Sequence, residues 1–372
     1  MSAEIGAHRR FVGDLPRIAA FARAIAAAVR PGDVVVDLAS GTGILGLLAC
    51  RAGAARVYSI EERSVIGLAR ELARANGFED RIRFVHTHSS WAQLPERADV
   101  VVTDQIGQFG FEAGLIQTMA DARLRWLKPG GTVVPRRVTL FAGLVEAPTL
   151  RADLDFWSDR PLGFDFSPAR AIALNSGRRA RLEPRHQLGT GVAGCRLDLG
   201  GSADAAFAFT VTLRTERDGV LHGIGGWFVA ELAEGVTMTN APGAEDRIDR
   251  RNAVFPIERP IPLRAGDEVT VTFRVRPADL LVRWTVVTPA GRFDHSTLRG
   301  MFIERDAIRK TNPAYEPRLT PHGVARRTVL ELCDGRRLAD VERAVYERHR
   351  ELFSSESDAQ AFVAEVVARY CV

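Results

Sequence analysis

Apolar residues at Phe11, Leu15, Ile18, Ala19, Phe21, Ile25 and Val29 recur at helical spacing, which predicts one amphipathic helix over residues 5–30. Asp14 and Arg17, three apart, fall on one side of it. Pro31-Gly32 ends it. The period then changes. Val34, Val35 and Val36 form a continuous β-branched run, the pattern of a strand buried on both faces. A small turn follows, then an apolar helical run over 44–51. The alternation continues with a strand over 56–60 that closes on Glu61, and a helix over 64–76 with Ser64 as N-cap and Gly77 as C-cap. Strands over 82–85 and 99–103 follow, the latter closing on Asp104. A helix near 113–126 stops at Lys128-Pro129-Gly130-Gly131, ahead of a fifth strand over 132–134. Repeated β-α-β units predict a parallel, doubly wound α/β sheet, whose ligands sit beyond the carboxyl ends of the strands. The glycine turn, Glu61 and Asp104 all fall on that edge.

After Pro135 the helical period gives way to short alternating runs, at 138–141, 206–213, 226–231, 268–275 and 282–286. Strands at this spacing predict a sandwich or barrel. A partly helical stretch over 153–184 interrupts its start. A third pattern begins near Pro313, with a helix start at Leu319-Thr320-Pro321-His322 and amphipathic helices over 324–332, 338–348 and 356–370. The expected organisation is an N-terminal α/β domain over 1–135, a β-barrel substrate domain over 136–300, and a small helical, winged-helix-like module over 313–372.

Composition narrows the function classes. A chain of 372 residues with 46% hydrophobic and 26% charged residues fits a soluble protein of more than one domain. No apolar run approaches the ~20 residues of a membrane span, and the N-terminus lacks a secretory pattern. No membrane partner is expected. Cys50, Cys195, Cys333 and Cys371 lie far apart without a C-x-x-C, which argues against a metal site or a disulfide framework and for a cytoplasmic location. A net charge of +4 over this length predicts no nucleic-acid partner.

The candidate chemistry sits on the sheet edge. In Asp37-Leu38-Ala39-Ser40-Gly41-Thr42-Gly43 the glycines let a ligand approach the backbone, and the following helix start offers free N–H groups. The turn lacks the third glycine of the dinucleotide pattern. Glu61, 20 residues after Gly41, is placed to accept two ribose hydroxyls. Asp104 and Glu112 bound the loop Gln105-Ile106-Gly107-Gln108-Phe109-Gly110-Phe111, and two carboxylates there suit an acceptor that must be oriented and must lose a proton.

Residues 39–43 resemble motif I of class I S-adenosylmethionine-dependent methyltransferases, with Ala39 replacing the usual first glycine. Several motifs then follow the order seen in protein arginine methyltransferases: Asp14 and Arg17, Gly41-Thr42-Gly43-Ile44-Leu45, Ala52-Gly53-Ala54, Val57 to Glu61, Leu94-Pro95 before Asp99, and Trp126-Leu127-Lys128-Pro129-Gly130-Gly131 before Pro135. Gly163-Phe164-Asp165-Phe166-Ser167 looks like the start of that family's dimerisation arm. The resemblance spans residues 8–290 and implies a Rossmann-like methyltransferase domain, a β-barrel, S-adenosyl-L-methionine as cofactor, a peptide or protein substrate and a homodimer. Carried over by position, Arg17 pairs with the cofactor carboxylate, His8 folds over the site and Glu61 holds the ribose. Asp37, Ala39, Gly41 and Gly43 belong to the cofactor turn, and Ser89 and Ser90 fall near the adenine amine, Ser90 where the family has an acidic residue.

Asp104 and Glu112 stand for the two glutamates that grip a guanidinium in that family, the first shorter by a methylene and the loop shorter by a residue. The family's Thr-His-Trp loop is replaced by Arg247-Ile248-Asp249-Arg250-Arg251-Asn252 before Val254-Phe255, with Asp249 or Asn252 as candidates for the missing histidine. These departures make a smaller amine an acceptor beside guanidinium. In the C-terminal module, residues 330–341 look like the helix–Asp-Gly–helix segment of the RiPP precursor-recognition element, which implies a ribosomally made peptide delivered by its leader. Two other readings stand beside this one. The first is N- or O-methylation of a small-molecule natural product. The second is a peptide-binding homologue without turnover.

Overall fold

Where one helix is expected over residues 5–30, there are two, α1 (Ala3–Gly13) and α2 (Leu15–Ala28). The break is at Asp14, with φ −79° and ψ 83°. Pro16 occupies the first turn of α2, where a missing N–H costs nothing. The break turns α1 across the sheet edge, and this sets the site described below. The computed structural model describes residues 3–201, 206–300, 316–353 and 355–371. They fall into two units, 1–301 and 302–372.

The first sheet holds β1 (Val34–Leu38), β2 (Arg56–Glu61), β3 (Ile82–His86), β4 (Ala98–Thr103) and β5 (Leu127–Val134). They are all parallel, in the order β3-β2-β1-β4-β5. All five residues of β1 are buried, as a β-branched run covered by helices on both faces should be. The covering helices include α3 (Ile44–Ala52), α4 (Ile66–Ala75) and α5 (Leu115–Arg125). Strand order reverses between β1 and β4, so the crevice for a ligand opens beyond their carboxyl ends.

Two local readings need correction. Helix α4 begins after Val65, and Ser64 does not cap it. Gly77 does close it, at φ +73°, with the Phe78 amide donating to the Ala73 carbonyl at 2.9 Å. The expected stop over residues 128–131 is instead a bulged beginning of β5, where Leu127 pairs with Ala98 and the register then slips to Thr132 opposite Val100.

Among the described residues, ten antiparallel strands form the barrel-like half. One sheet contains β6 (Arg137–Val145), β7 (Arg178–Ala180), β8 (Val192–Asp198), β10 (Gly219–Ala233), β11 (Val236–Thr239) and β12 (Asn252–Leu263). The other contains β9 (Phe207–Arg214), β13 (Glu268–Arg276), β14 (Leu281–Thr288) and β15 (Gly291–Ser296). Helices α6 (Pro148–Asp155) and α7 (Ser167–Leu174) interrupt the strands after β6. Inside, Phe255 packs on Phe273 and Trp284 at ring separations of 5.0 and 5.3 Å. These rings join the two sheets through apolar burial.

The C-terminal unit holds α8 (Pro321–Leu332), α9 (Leu338–Arg348) and α10 (Glu356–Tyr370) around Val329, Leu332, Val341, Val345, Val363 and Val366. Thr320 caps α8 through the Gly323 amide at 3.1 Å, and Ser355 caps α10 through Asp358 at 3.2 Å. No strand occurs among residues 316–353 and 355–371 as described. The boundary near Pro313 lies outside the described residues.

Candidate active site

A cavity of about 280 Å³ lies at the carboxyl edge of the parallel sheet. Its floor is the β1–α3 turn. Ala39 sits at φ +51° and Gly41 at φ +54°, so the turn keeps a left-handed shape even where alanine replaces glycine. The Gly41 amide donates to Glu61 Oε2 at 2.9 Å, and the Arg63 amide donates to Oε1 at 2.9 Å. Glu61 is thus fixed at the tip of β2 and lines the cavity. From α1, the His8 ring covers the turn. A methyl group on Gly41 would come within 2.8 Å of His8 Cε1. Phe11 packs beneath the Arg17 guanidinium, 4.5 Å from its carbon to the ring centre.

Of the sequence candidates, His8, Arg17, Ala39, Gly41, Glu61, Ser89 and Asp104 line this cavity. Asp37, Gly43, Ser90 and Glu112 do not. Asp37 is fully buried behind the turn and accepts the Gly46 amide at 2.8 Å, tying β1 to α3. Burial, with Glu61 nearby, pushes its carboxyl up to about 7. Gly43 caps α3 from below. Ser90 turns away to His88, with 2.6 Å between its hydroxyl and Nδ1.

The acceptor side begins at the tip of β4. Thr103 Oγ1 donates to the Leu38 carbonyl at 3.0 Å and receives the Gln105 amide at 3.3 Å, so β4 and the loop are tied to β1. Asp104 then meets two cations. It pairs with Arg17, and Arg250 Nη2 donates to its two oxygens at 3.1 and 3.2 Å. All three side chains are about nine-tenths buried, at 10–11% exposure. Burial lowers Arg17 to about 9, assisted by the charge of Arg250 and opposed by Asp14. Burial likewise lowers Arg250 to about 10, against the opposing pull of Glu112 and Asp14. Both remain cations at neutral pH.

Glu112 folds into its own loop. It accepts amides from Gln108, from Phe109 at 2.8 Å and from Phe111 at 3.3 Å. Gly107, at φ +82°, makes room, since a methyl there would lie 2.6 Å from the carboxylate. Two phenylalanines anchor the loop in the barrel. Phe109 lies 5.4 Å from both Phe255 and Phe273, and Phe111 lies 5.5 Å from Phe207. Phe109 presses against Gly226 of β10, where a methyl would come within 2.7 Å of its ring.

Neither Asp249 nor Asn252 supports the acidic loop. The Asp249 side chain pairs with Arg181 at 2.8 Å, and its amide donates to Asp14 Oδ2 at 2.9 Å. Asn252 bonds the Asn240 carbonyl at 2.7 Å and the Leu182 amide at 3.1 Å. Besides Asn240, which donates to the Gln108 carbonyl at 2.8 Å, the supporting residue is Arg250, between Asp249 and Asn252. Nothing in the sequence separates it from Arg247 and Arg251, because its partners lie 143 and 146 positions away.

The donor set fits S-adenosylmethionine. Glu61 offers two oxygens where ribose hydroxyls would lie, and Arg17 offers a cation to a carboxylate. Ser40 Oγ and Gln105 Oε1 are buried in the cavity wall without a hydrogen-bond partner, which a polar ligand would supply. Ile18, Phe21, Leu45 and Ile60 give the apolar remainder.

The chain is similar to known methyltransferases. Residues 136–288 match the arginine methyltransferase oligomerization subdomain, and residues 19–136 match the ribosomal protein L11 methyltransferase family. Protein arginine N-methyltransferase 6 of Xenopus tropicalis is 25% identical over 296 residues, covering 75% of this chain and 86% of the relative. Protein arginine N-methyltransferase 1 of Chlamydomonas reinhardtii is 28% identical over 251 residues, covering 65% and 72%. In fold, the chain is similar to the Trypanosoma brucei PRMT1 enzyme-prozyme heterotetrameric complex with AdoHcy, with a TM-score of 0.71, 21% identity, and coverage of 78% of this chain and 97% of that one. Arabidopsis thaliana protein arginine methyltransferase 10 gives a TM-score of 0.67 at 20% identity, with the same coverage. The chain is an S-adenosylmethionine-dependent methyltransferase of arginine-methyltransferase-like build.

Proposed function

We propose that the chain transfers a methyl group to a nitrogen of a peptide or protein. The observation that carries this reading is Asp104, held on the wall of the same cavity as Glu61 and the Gly41 turn. Glu61 would hold the ribose, Arg17 the carboxylate end, and His8 would cover the turn. When bound, S-adenosylmethionine supplies an electrophilic methyl on a sulfonium. The chain's residues supply position. Asp104 would orient the acceptor nitrogen, which would replace sulfur on the methyl carbon, and the proton the nitrogen loses would pass to Asp104 or water. Glu112 acts by shaping the loop, because its oxygens are taken up by loop amides.

A homodimer is part of the proposal. Between α6 and α7, Leu162 and Phe164 are 95% and 67% exposed, and Phe156 and Phe166 join them, an apolar surface that a second copy would cover. The C-terminal unit is read as a peptide-holding module, supported by its own small core and by the motif at 330–341. The test is incubation with methyl-labelled cofactor and candidate peptides, then identification of the labelled atom after hydrolysis. Label on nitrogen is expected. Base-labile esters alone would contradict the reading.

A further inference from the structure

The acidic loop already holds a guanidinium, and it is the chain's own. Arg250 Nη2 donates to both Asp104 oxygens at 3.1 and 3.2 Å, and Nη1 donates to the Gly107 carbonyl at 3.1 Å. The Glu112 carboxylate adds its charge. The neighbours of Arg250 are pinned on both sides. Asn240 Nδ2 donates to the Arg251 carbonyl at 2.9 Å and to the loop's Gln108 carbonyl at 2.8 Å, while the Asp249 amide donates to Asp14 at 2.9 Å. The arginine is therefore built into the loop and not laid over it. Asp104 and Glu112 are balanced by Arg17 and Arg250. A substrate guanidinium would have to displace Arg250 from Asp104 and from the Gly107 carbonyl to reach the loop.

We propose that Arg250 is a specificity-determining residue that fills the guanidinium position of the loop, so that arginine side chains are excluded and the acceptor is a primary amine. A primary amine can shed its proton and enter without adding a cation beside Arg250, whereas a guanidinium keeps its charge and its planar fork needs the position that Arg250 occupies. This inference rests on the cavity being the methyl-transfer site.

The test uses the full chain with Arg250→Ala, probed with ethylguanidinium, which matches the deleted part of the side chain. Arg250→Met, which keeps the stem volume, is probed with millimolar guanidinium. Each variant should bind its probe about tenfold or more tightly than the unsubstituted chain does, and butylammonium should not compete. Recovery of thermal stability by ethylguanidinium in Arg250→Ala is part of the same expected result. Folded variants that bind guanidinium no better than the parent would overturn the proposal, as would an acetylated arginine peptide that binds the parent and Arg250→Ala equally. The titrations need no cofactor, so a failure of S-adenosylmethionine to bind the parent would count against the methyl-transfer reading separately.

Discussion

Glu61 Oε2 accepts the Gly41 amide at 2.9 Å, so the carboxylate proposed for the ribose and the turn proposed for the cofactor are held as one unit. Glu61→Ala should weaken S-adenosylmethionine binding by about 100-fold, the loss of two charge-assisted hydrogen bonds. Glu61→Gln should fall between, since the amide keeps one acceptor. Calorimetric titration reads this directly, and an unchanged affinity in Glu61→Ala would remove the ribose assignment.

Gly41→Ala combines two costs, a left-handed φ of +54° and a 2.8 Å approach to His8. The substitution should destabilise the chain by about 1–3 kcal/mol. Removing the ring in His8→Ala should recover part of that and leave the backbone share. Urea midpoints of the two single variants and the double variant separate the shares. Strict additivity would show that His8 does not press on the turn.

Asp37 predicts a pH dependence. Its folded value of about 7 lies above the usual 3.8, so the native state holds a proton that the unfolded chain releases. Stability should therefore fall as pH rises from about 4 to about 7, by up to ~1.4 kcal/mol per pH unit. Asp37→Asn keeps an oxygen for the Gly46 amide and carries no charge. Its stability profile should be flatter over that window, and an unaltered slope would assign the dependence elsewhere.

Asp104→Asn leaves Arg17 and Arg250 facing each other without their shared carboxylate. Breaking a buried pair in this way should cost about 3–5 kcal/mol. Methyl transfer should also be lost, while cofactor binding survives in the folded fraction. Chemical denaturation beside a labelled-methyl assay checks both. A stable variant with normal turnover would exclude Asp104 from the reaction.

Much of the parallel sheet is legible in the sequence because each β-α-β unit is local, and valine runs, glycine turns and helix caps announce it. Glu61 and Asp104 are legible for the same reason, since strand ends fix their place on the ligand edge. The barrel is read less fully. Strand β12 carries Pro256, Pro260 and Pro262, which argue against a paired strand, and β10 carries four glycines. In β10 the glycines make room for rings such as Phe109 and for the backbone of β12 at Pro256, contacts between distant positions. The break at Asp14 is hidden by an apolar pattern that continues across it. Arg250 is the extreme case, because its role depends wholly on which loop the barrel brings to it.

The most direct test of the account is a structure with S-adenosylhomocysteine bound. The predicted result is adenosine ribose on Glu61, the amino-acid end on Arg17 beneath His8, and the sulfur facing Asp104. A ligand bound away from the Gly41 turn, or with its sulfur turned from Asp104, would contradict it.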